Sequence, residues 1–411
     1  MGLTADRVLV NASHCHGVVG ANVNELALQA VKEAAGALVP VRVGAGTGQE
    51  NRIQENRRLK LKNGREADVR HAYSLPPDES VAAIGPIDPE IGILKLERMD
   101  GTVLALVYNF ACHPIHGVPS GGNTADFPGF ASRAIEDGLG DGAMAFFVQG
   151  CAGDINPSLY KATGHPHDAE AYGNLLGLSA LRAARGIKTG DAGKLRVVRE
   201  VMSLPRAADY EARIAALEAE QARLLKSFRG TSLNFKSFLP LYLQHKLAPD
   251  APAYHLHRYL HEKAIGREDL AKLDAENRAN IEAYLQNIAA MEQLTRLQVN
   301  LALLKRHHAE AVAAKGAALE AELCGVRIGD FVLVTFPGEL TVEIGLAVKK
   351  RAPGPNTFVA GYTNGYLFYL PHEAQRANKG YAQEDCDCLV AAEWRKLFDA
   401  RVDGMLKKLN E

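Results

Sequence analysis

Four apolar runs in this 411-residue sequence each break off into a short polar motif, and that repeated design constrains the fold more than any other feature. Arg7-Val-Leu-Val leads to Ser13-His-Cys-His16, and Val103 to Tyr108 leads to Asn109-Phe-Ala-Cys-His113. Met144-Ala-Phe-Phe-Val leads to Gln149-Gly-Cys-Ala-Gly-Asp154, and Phe331-Val-Leu-Val-Thr-Phe leads to Pro337-Gly-Glu339. Each run reads as a buried strand. In open α/β sheets ligands bind beyond the carboxyl ends of strands, so four such ends can meet at one site. The expectation is an α/β fold with a mixed β-sheet core flanked by helices.

Under that arrangement His14, His16, His113 and Glu339 form one constellation, and these ligand types suit zinc. On an extended segment residues two apart face the same way, so His14 and His16 can act together. Two histidines alone are equally readable as surface or core groups. Glu339 opens an expected helix, Leu340 to Arg351, where a first-turn carboxylate would also satisfy the helix dipole. The glycines of Gln149 to Asp154 permit a tight turn whose N–H groups would hold an oxyanion, with Asp154 and Asn156 as polar side chains; a plain polar turn is the other reading. Asp126 stands where it can cap the helix Phe130 to Asp137 or enter the site.

The remaining elements follow from periodicity. Asn24 to Leu38 reads as an amphipathic helix, and Val41 to Val43 as a short strand. Gly44 to Ile84 is expected to be irregular, and an arginine of Asn56-Arg-Arg58 either fixes a polar substrate group or is a solvated loop charge. Ile91 to Leu96 and Val103 to Tyr108, joined by Asp100-Gly, form a hairpin that delivers His113; His116 is placed outside the ligand set. Helix Ala169 to Ala184 and strand Lys194 to Leu204 follow, and Leu323 to Val326 pairs with Phe331 to Phe336. Pro205 to Ala321 carries helical apolar spacing at Tyr210, Ile214, Leu217 and Leu224 and again at Ile281, Tyr284, Ile288 and Met291. This predicts a long helical-hairpin insertion, residues 205–321, in a domain made of residues 1–204 and 322–411. The aromatic, His-rich link from Thr231 to Leu270 is assigned a packing or lid role, because on a helix His255 and His257 diverge.

Composition narrows the function. The formal charge of −1 lacks the basic footprint of a nucleic-acid binder, which leaves a small molecule as the partner. Six dispersed cysteines do not make a disulfide framework, and Cys386 and Cys388 are read as structural. No apolar run approaches the roughly 18 residues of a membrane span. Without a signal-peptide core the default compartment is the cytoplasm, although the chain opens nearly inside a strand and upstream sequence is expected. The oligomeric state is not legible.

Taken in order, His14-Cys-His16, Asn109-Phe-Ala-Cys-His113, Gln149-Gly-Cys-Ala-Gly-Asp154, Pro337-Gly-Glu339 and Asn364-Gly-Tyr-Leu-Phe-Tyr369 resemble the neutral/alkaline ceramidase family from about Val8 to Tyr381. The resemblance implies a zinc ion held by His14, His113, Glu339 and Tyr369. It further implies His16 as acid/base, Tyr381 as a contact to the reacting group and Arg57 as the substrate-binding arginine. The family serine in Gly-Asp-x-Ser-Pro-Asn is here Asn156, and Ser158 lies beyond a proline that fixes its own φ. The family's early strands and its immunoglobulin-like domain lie outside this sequence. The implied activity is zinc-dependent hydrolysis of an amide, an N-acyl lipid or related N-acyl amide, with water rather than serine as nucleophile and with Tyr381 and the Gly153 turn as oxyanion donors. The alternative is a zinc-containing binding protein without turnover. An amidohydrolase-type barrel is disfavoured, since no eightfold strand–helix alternation is present.

Overall fold

The computed structural model describes residues 4, 7–69, 75–117, 122–160, 162, 164–165, 168–191, 193–378 and 380–411. It divides into two compact units, one of Met1–Tyr210 with Leu304–Glu411 and one of Glu211–Leu303.

The first unit is built on two four-stranded sheets. One has the order Val41–Gln49, Glu90–Arg98, Val103–Phe110, Met144–Gln149, antiparallel except for its last, parallel pair. The other has the order Leu195–Leu204, Leu319–Ile328, Phe331–Thr335, Thr357–Ala360, again closing on a parallel pair. Alternation along the strands gives each sheet two apolar faces, and both must be covered. Leu94 of the first sheet packs with Phe331, Leu333 and Phe358 of the second. The sheets approach so closely that a Cβ on Gly92 would run into the Phe358 ring, which reserves this position for glycine.

The outer face of the first sheet, with Ile93, Leu106 and Tyr108, is covered by Phe127, Ala131 and Ile135 of helix Asp126–Leu139 and by Leu176 and Ala180 of helix Ala169–Gly186. The outer face of the second, with Leu323 and Val334, meets Trp394, Phe398 and Val402 of helix Trp394–Asn410. The mixed α/β expectation therefore holds, with the sheet content arranged as helix, sheet, sheet, helix.

The second unit is helical. Helix Tyr210–Ser227 enters it and the 45-residue helix Asp269–Ala313 leads back out, while the link between them forms two further helices, Phe235–Leu247 and Leu256–Ala264. Phe238 stacks on Tyr284 at 4.4 Å between ring centres, which ties the link to the long helix.

Three local expectations are corrected. Val8 to Val10 forms no strand: Val10 exchanges hydrogen bonds with Asn364, its N–H donating to Oδ1 at 2.7 Å, and among the described residues this stretch has a single bridge, from Asn11 to Thr363. The irregular region from Gly44 to Ile84 contains most of the nine-residue strand Val41–Gln49 and short strands at Gln54–Asn56, Arg58–Leu61, Glu66–Asp68 and Val81–Ile84. Their glycines and charges mask the strand signal, since Gly44, Gly46 and Gly48 face the backbone and side chains of residues 179–188 where no larger group fits. Glu339 is not in a helix; it pairs with Tyr369 in a two-strand parallel contact, and the helix runs Val342–Arg351 after Thr341.

Candidate metal centre

The two parallel strand pairs end on the same edge, and the side chains that follow them meet there. His113 follows Val103–Phe110, and its Nδ1 lies 3.0 Å from the Ile155 carbonyl. A carbonyl only accepts, so Nδ1 carries the proton and the Nε2 lone pair is turned inward. Nε2 lies 3.1 Å from Glu339 Oε2. Glu339 Oε1 is in turn 3.5 Å from His14 Nε2, and His14 Nε2 is 3.2 Å from His16 Nε2. The ligating nitrogens of His14, His16 and His113 all fall within 4.8 Å of one another.

His14 and His16 converge by a different route from the extended one expected, because His14 has a left-handed backbone, φ 64°. Tyr362, Asn364 and Phe368 also have positive φ, so the loops around the centre hold an unusual concentration of strained backbone.

The electrostatics are those of a buried carboxylate met by imidazoles and phenols. Burial disfavours the charged form of His113 and lowers its pKa, leaving a neutral imidazole. Burial alone would raise the Glu339 pKa, but His113, His14 and Tyr366 hold the carboxyl well below its usual range. His113 Nε2 and Glu339 Oε2 stand 3.1 Å apart. Imidazole with carboxylate is a ligand set that zinc accepts.

Two tyrosines missed in the sequence complete this centre. Tyr366 donates to Glu339 Oε1 at 2.5 Å and Tyr362 to Oε2 at 3.3 Å, while the Tyr362 ring stacks on His14 at 4.2 Å. Burial and the neighbouring carboxylate raise the pKa of both phenols, which keeps them as donors that orient Glu339. The run Gly361–Tyr369, with its three tyrosines, was the available signal. Tyr362 also borders a cleft of about 730 Å³ lined by Val8, Val10, Ala12, Arg199, Glu322 and Asn364.

Tyr369 is buried beside Arg57, whose guanidinium lies 5.6 Å from the ring centre. Arg57 is itself buried, donating to Asn156 Oδ1 at 3.2 Å and to the Gly153 carbonyl at 2.5 Å, with Nε 2.8 Å from Glu384. That last contact is a close ion pair without hydrogen-bond alignment. Neighbouring Arg58, equally buried, is held by Glu66, Glu384 and Asp385. Arg57 is thus neither a solvated loop charge nor an open clamp in this state. Asn156, 1% exposed, has its Oδ1 committed to Arg57. Gly153 does not serve as an oxyanion donor, because its N–H donates to the Leu340 carbonyl at 2.9 Å and a Cβ there would press on the Glu339 carbonyl.

The Tyr381 ring lies 5.5 Å from the Arg65 guanidinium. Ser158 donates its hydroxyl to the Arg52 carbonyl at 2.8 Å and sits 3.1 Å from the Tyr172 hydroxyl. His116 is buried next to Tyr172, 4.6 Å between ring centres. Asp154 spans two elements, accepting from the Val342 N–H at 2.7 Å and from Asn56 at 3.3 Å. Asp126 accepts from the N–H of Phe127 at 2.6 Å and from that of Gly117, so it is tied up with backbone. His255 and His257 are both exposed, and Cys386 and Cys388 are buried.

No family model matches the chain, and no curated protein matches it. Among solved structures it is similar to the neutral ceramidase from Pseudomonas aeruginosa, at 16% identity and a TM-score of 0.55 over 97% of this chain and 61% of that one. It is likewise similar to a ceramidase complexed with C2, at 17% identity and a TM-score of 0.55 over 98% of this chain and 62% of that one. The chain thus has a neutral-ceramidase-like fold and spans about three-fifths of the length of those structures.

Proposed function

We propose that this chain is a zinc-dependent hydrolase of an N-acyl lipid or related N-acyl amide. The observation that carries the reading is the meeting of His14, His16 and His113 nitrogens within 4.8 Å, with Glu339 against two of them. His14, His113 and Glu339 would hold the metal, with Tyr369 as the fourth ligand implied by the family resemblance. Bound there, zinc supplies a Lewis acid for the carbonyl and lowers the pKa of water toward about 7.

The chain's own residues supply the proton transfers. His16, exposed and 3.2 Å from His14, takes the proton from the attacking water and returns it to the departing amine. Tyr362 and Tyr366 fix the Glu339 carboxylate, so the site keeps its geometry through turnover. The cleft beside Tyr362 has both apolar and polar walls and offers room for the part of the substrate beyond the reacting bond. Asn156 has no hydroxyl to acylate, which favours direct attack by water over an acyl-enzyme.

Metal analysis tests the assignment. Purified protein should carry one zinc per chain, and His113→Ala should bring the stoichiometry toward zero; unchanged zinc in that variant would overturn the ligand set. A hydrolysis screen on zinc-loaded protein separates the enzyme from a zinc-containing binding protein.

A further inference from the structure

Within the helical unit, helix Phe235–Leu247 is apolar on two faces. One face is covered: Phe238 is buried against Tyr284, and Tyr242 stacks on Phe238 at 5.4 Å. The other carries Phe235, Leu239, Leu243 and Leu247, spaced four apart and 64%, 42%, 49% and 84% exposed. Residues four apart lie one above the other on a helix, so these four make a continuous stripe more than three turns long. The next helix, Leu256–Ala264, repeats the design. Its inner side ties down through Tyr259, which donates to Asp274 at 2.6 Å, while Leu256 and Leu260 stand exposed. Soluble chains scatter single apolar residues over their surface, but ordered stripes of this kind mark an interaction face.

Charge selects the occupant. From residue 235 to 265 the sequence has four Lys or Arg against two acids, together with four histidines, in a chain whose overall formal charge is −1. At about 100° per residue, Lys236 and Lys246 fall beside the stripe on their helix, and Lys246 Nζ lies 5.5 Å from the centre of the Tyr242 ring; a lysine so placed can lay its stem along an apolar surface and its ammonium in a headgroup layer. No helix among the described residues is long and apolar enough to cross a membrane. Short amphipathic helices with exposed Phe and Leu flanked by cations lie in a lipid interface instead. We propose that helices Phe235–Leu247 and Leu256–Ala264 form an interfacial docking surface for an anionic lipid bilayer.

This surface goes beyond the hydrolase reading and does not depend on it: a chain that binds vesicles and cleaves no amide would lose only that reading. The test is co-sedimentation of the full zinc-loaded chain with phosphatidylcholine vesicles, with and without about 30 mol % phosphatidylglycerol. Binding to the mixed vesicles is expected, weakening in about 0.5 M salt as screening shortens. Leu239→Asp combined with Leu243→Asp should cut partitioning at least about tenfold. Lys236→Glu and Lys246→Glu should each cut it about fivefold or more on mixed vesicles alone. Zinc content and circular dichroism, unchanged in all of these, establish that the variants are folded. An absence of sedimentation with either vesicle, or leucine variants that bind like the parent, overturns the proposal. A concentration-dependent oligomer abolished by the leucine variants, with no vesicle binding, also overturns it and assigns the stripe to a second copy of the chain.

Discussion

Two clusters of buried polar side chains lie close together in the first unit, and they are opposites in how their charges are settled. Around Arg57 and Arg58 the ions are matched: Glu66, Glu384 and Asp385 surround the guanidiniums, and Asn156 and the Gly153 carbonyl take further donors. Around Glu339, imidazoles stand 3.1 and 3.5 Å from the carboxylate and two phenols donate to it, with no guanidinium or ammonium among them. The first arrangement is complete as it stands and holds the loops together. The second gathers groups that would also serve as ligands of a cation. Both clusters hold buried carboxylates, so burial by itself does not mark chemistry; the kind of partner does.

Substitutions can break that contrast. The largest expected effect is on turnover: His16→Ala should lower kcat by about 10²–10⁴ while leaving unfolding nearly unchanged, since His16 is exposed. A drop matched by destabilisation would place His16 in the structural cluster instead. Next is Arg58→Ala, which takes the shared guanidinium from Glu66, Glu384 and Asp385 in the interior and should cost about 3–5 kcal/mol in denaturant unfolding. Zinc stoichiometry of the folded fraction should stay at one, and a parallel loss of zinc would mean that the two clusters are one unit. Asn156→Ser removes one acceptor from Arg57 and should cost about 1 kcal/mol with no gain in activity. Intact-mass measurement during turnover of a slow substrate should show no acyl adduct. The smallest effect belongs to Ser158→Ala, within about 1 kcal/mol and without change in rate, because its hydroxyl serves Arg52 and Tyr172. An adduct on Ser158 would reverse this ranking.

What the sequence determined by itself was local. Apolar runs of fixed period specified the hairpin Glu90–Arg98 to Val103–Phe110, the strands Met144–Gln149 and Phe331–Thr335, and the long helices; their polar ends specified that His113 and Glu339 stand just past strands. Strand Val41–Gln49 was legible only as far as Val43 because its glycines, needed for close packing, erase the alternation that announces a strand. Only the tertiary structure decided the partners. His113 meets a carboxylate 226 residues away, and Tyr362 and Tyr366 rather than their neighbours reach it because positive-φ residues turn the intervening loop. Asn156, in the run read as an oxyanion turn, went instead to the closed arginine cluster, where a strand pair places it opposite Glu55 and next to Arg57. Periodicity along a chain reports which face is buried, whereas the identity of the group across that face is set by how separate elements pack, and no short-range pattern carries it.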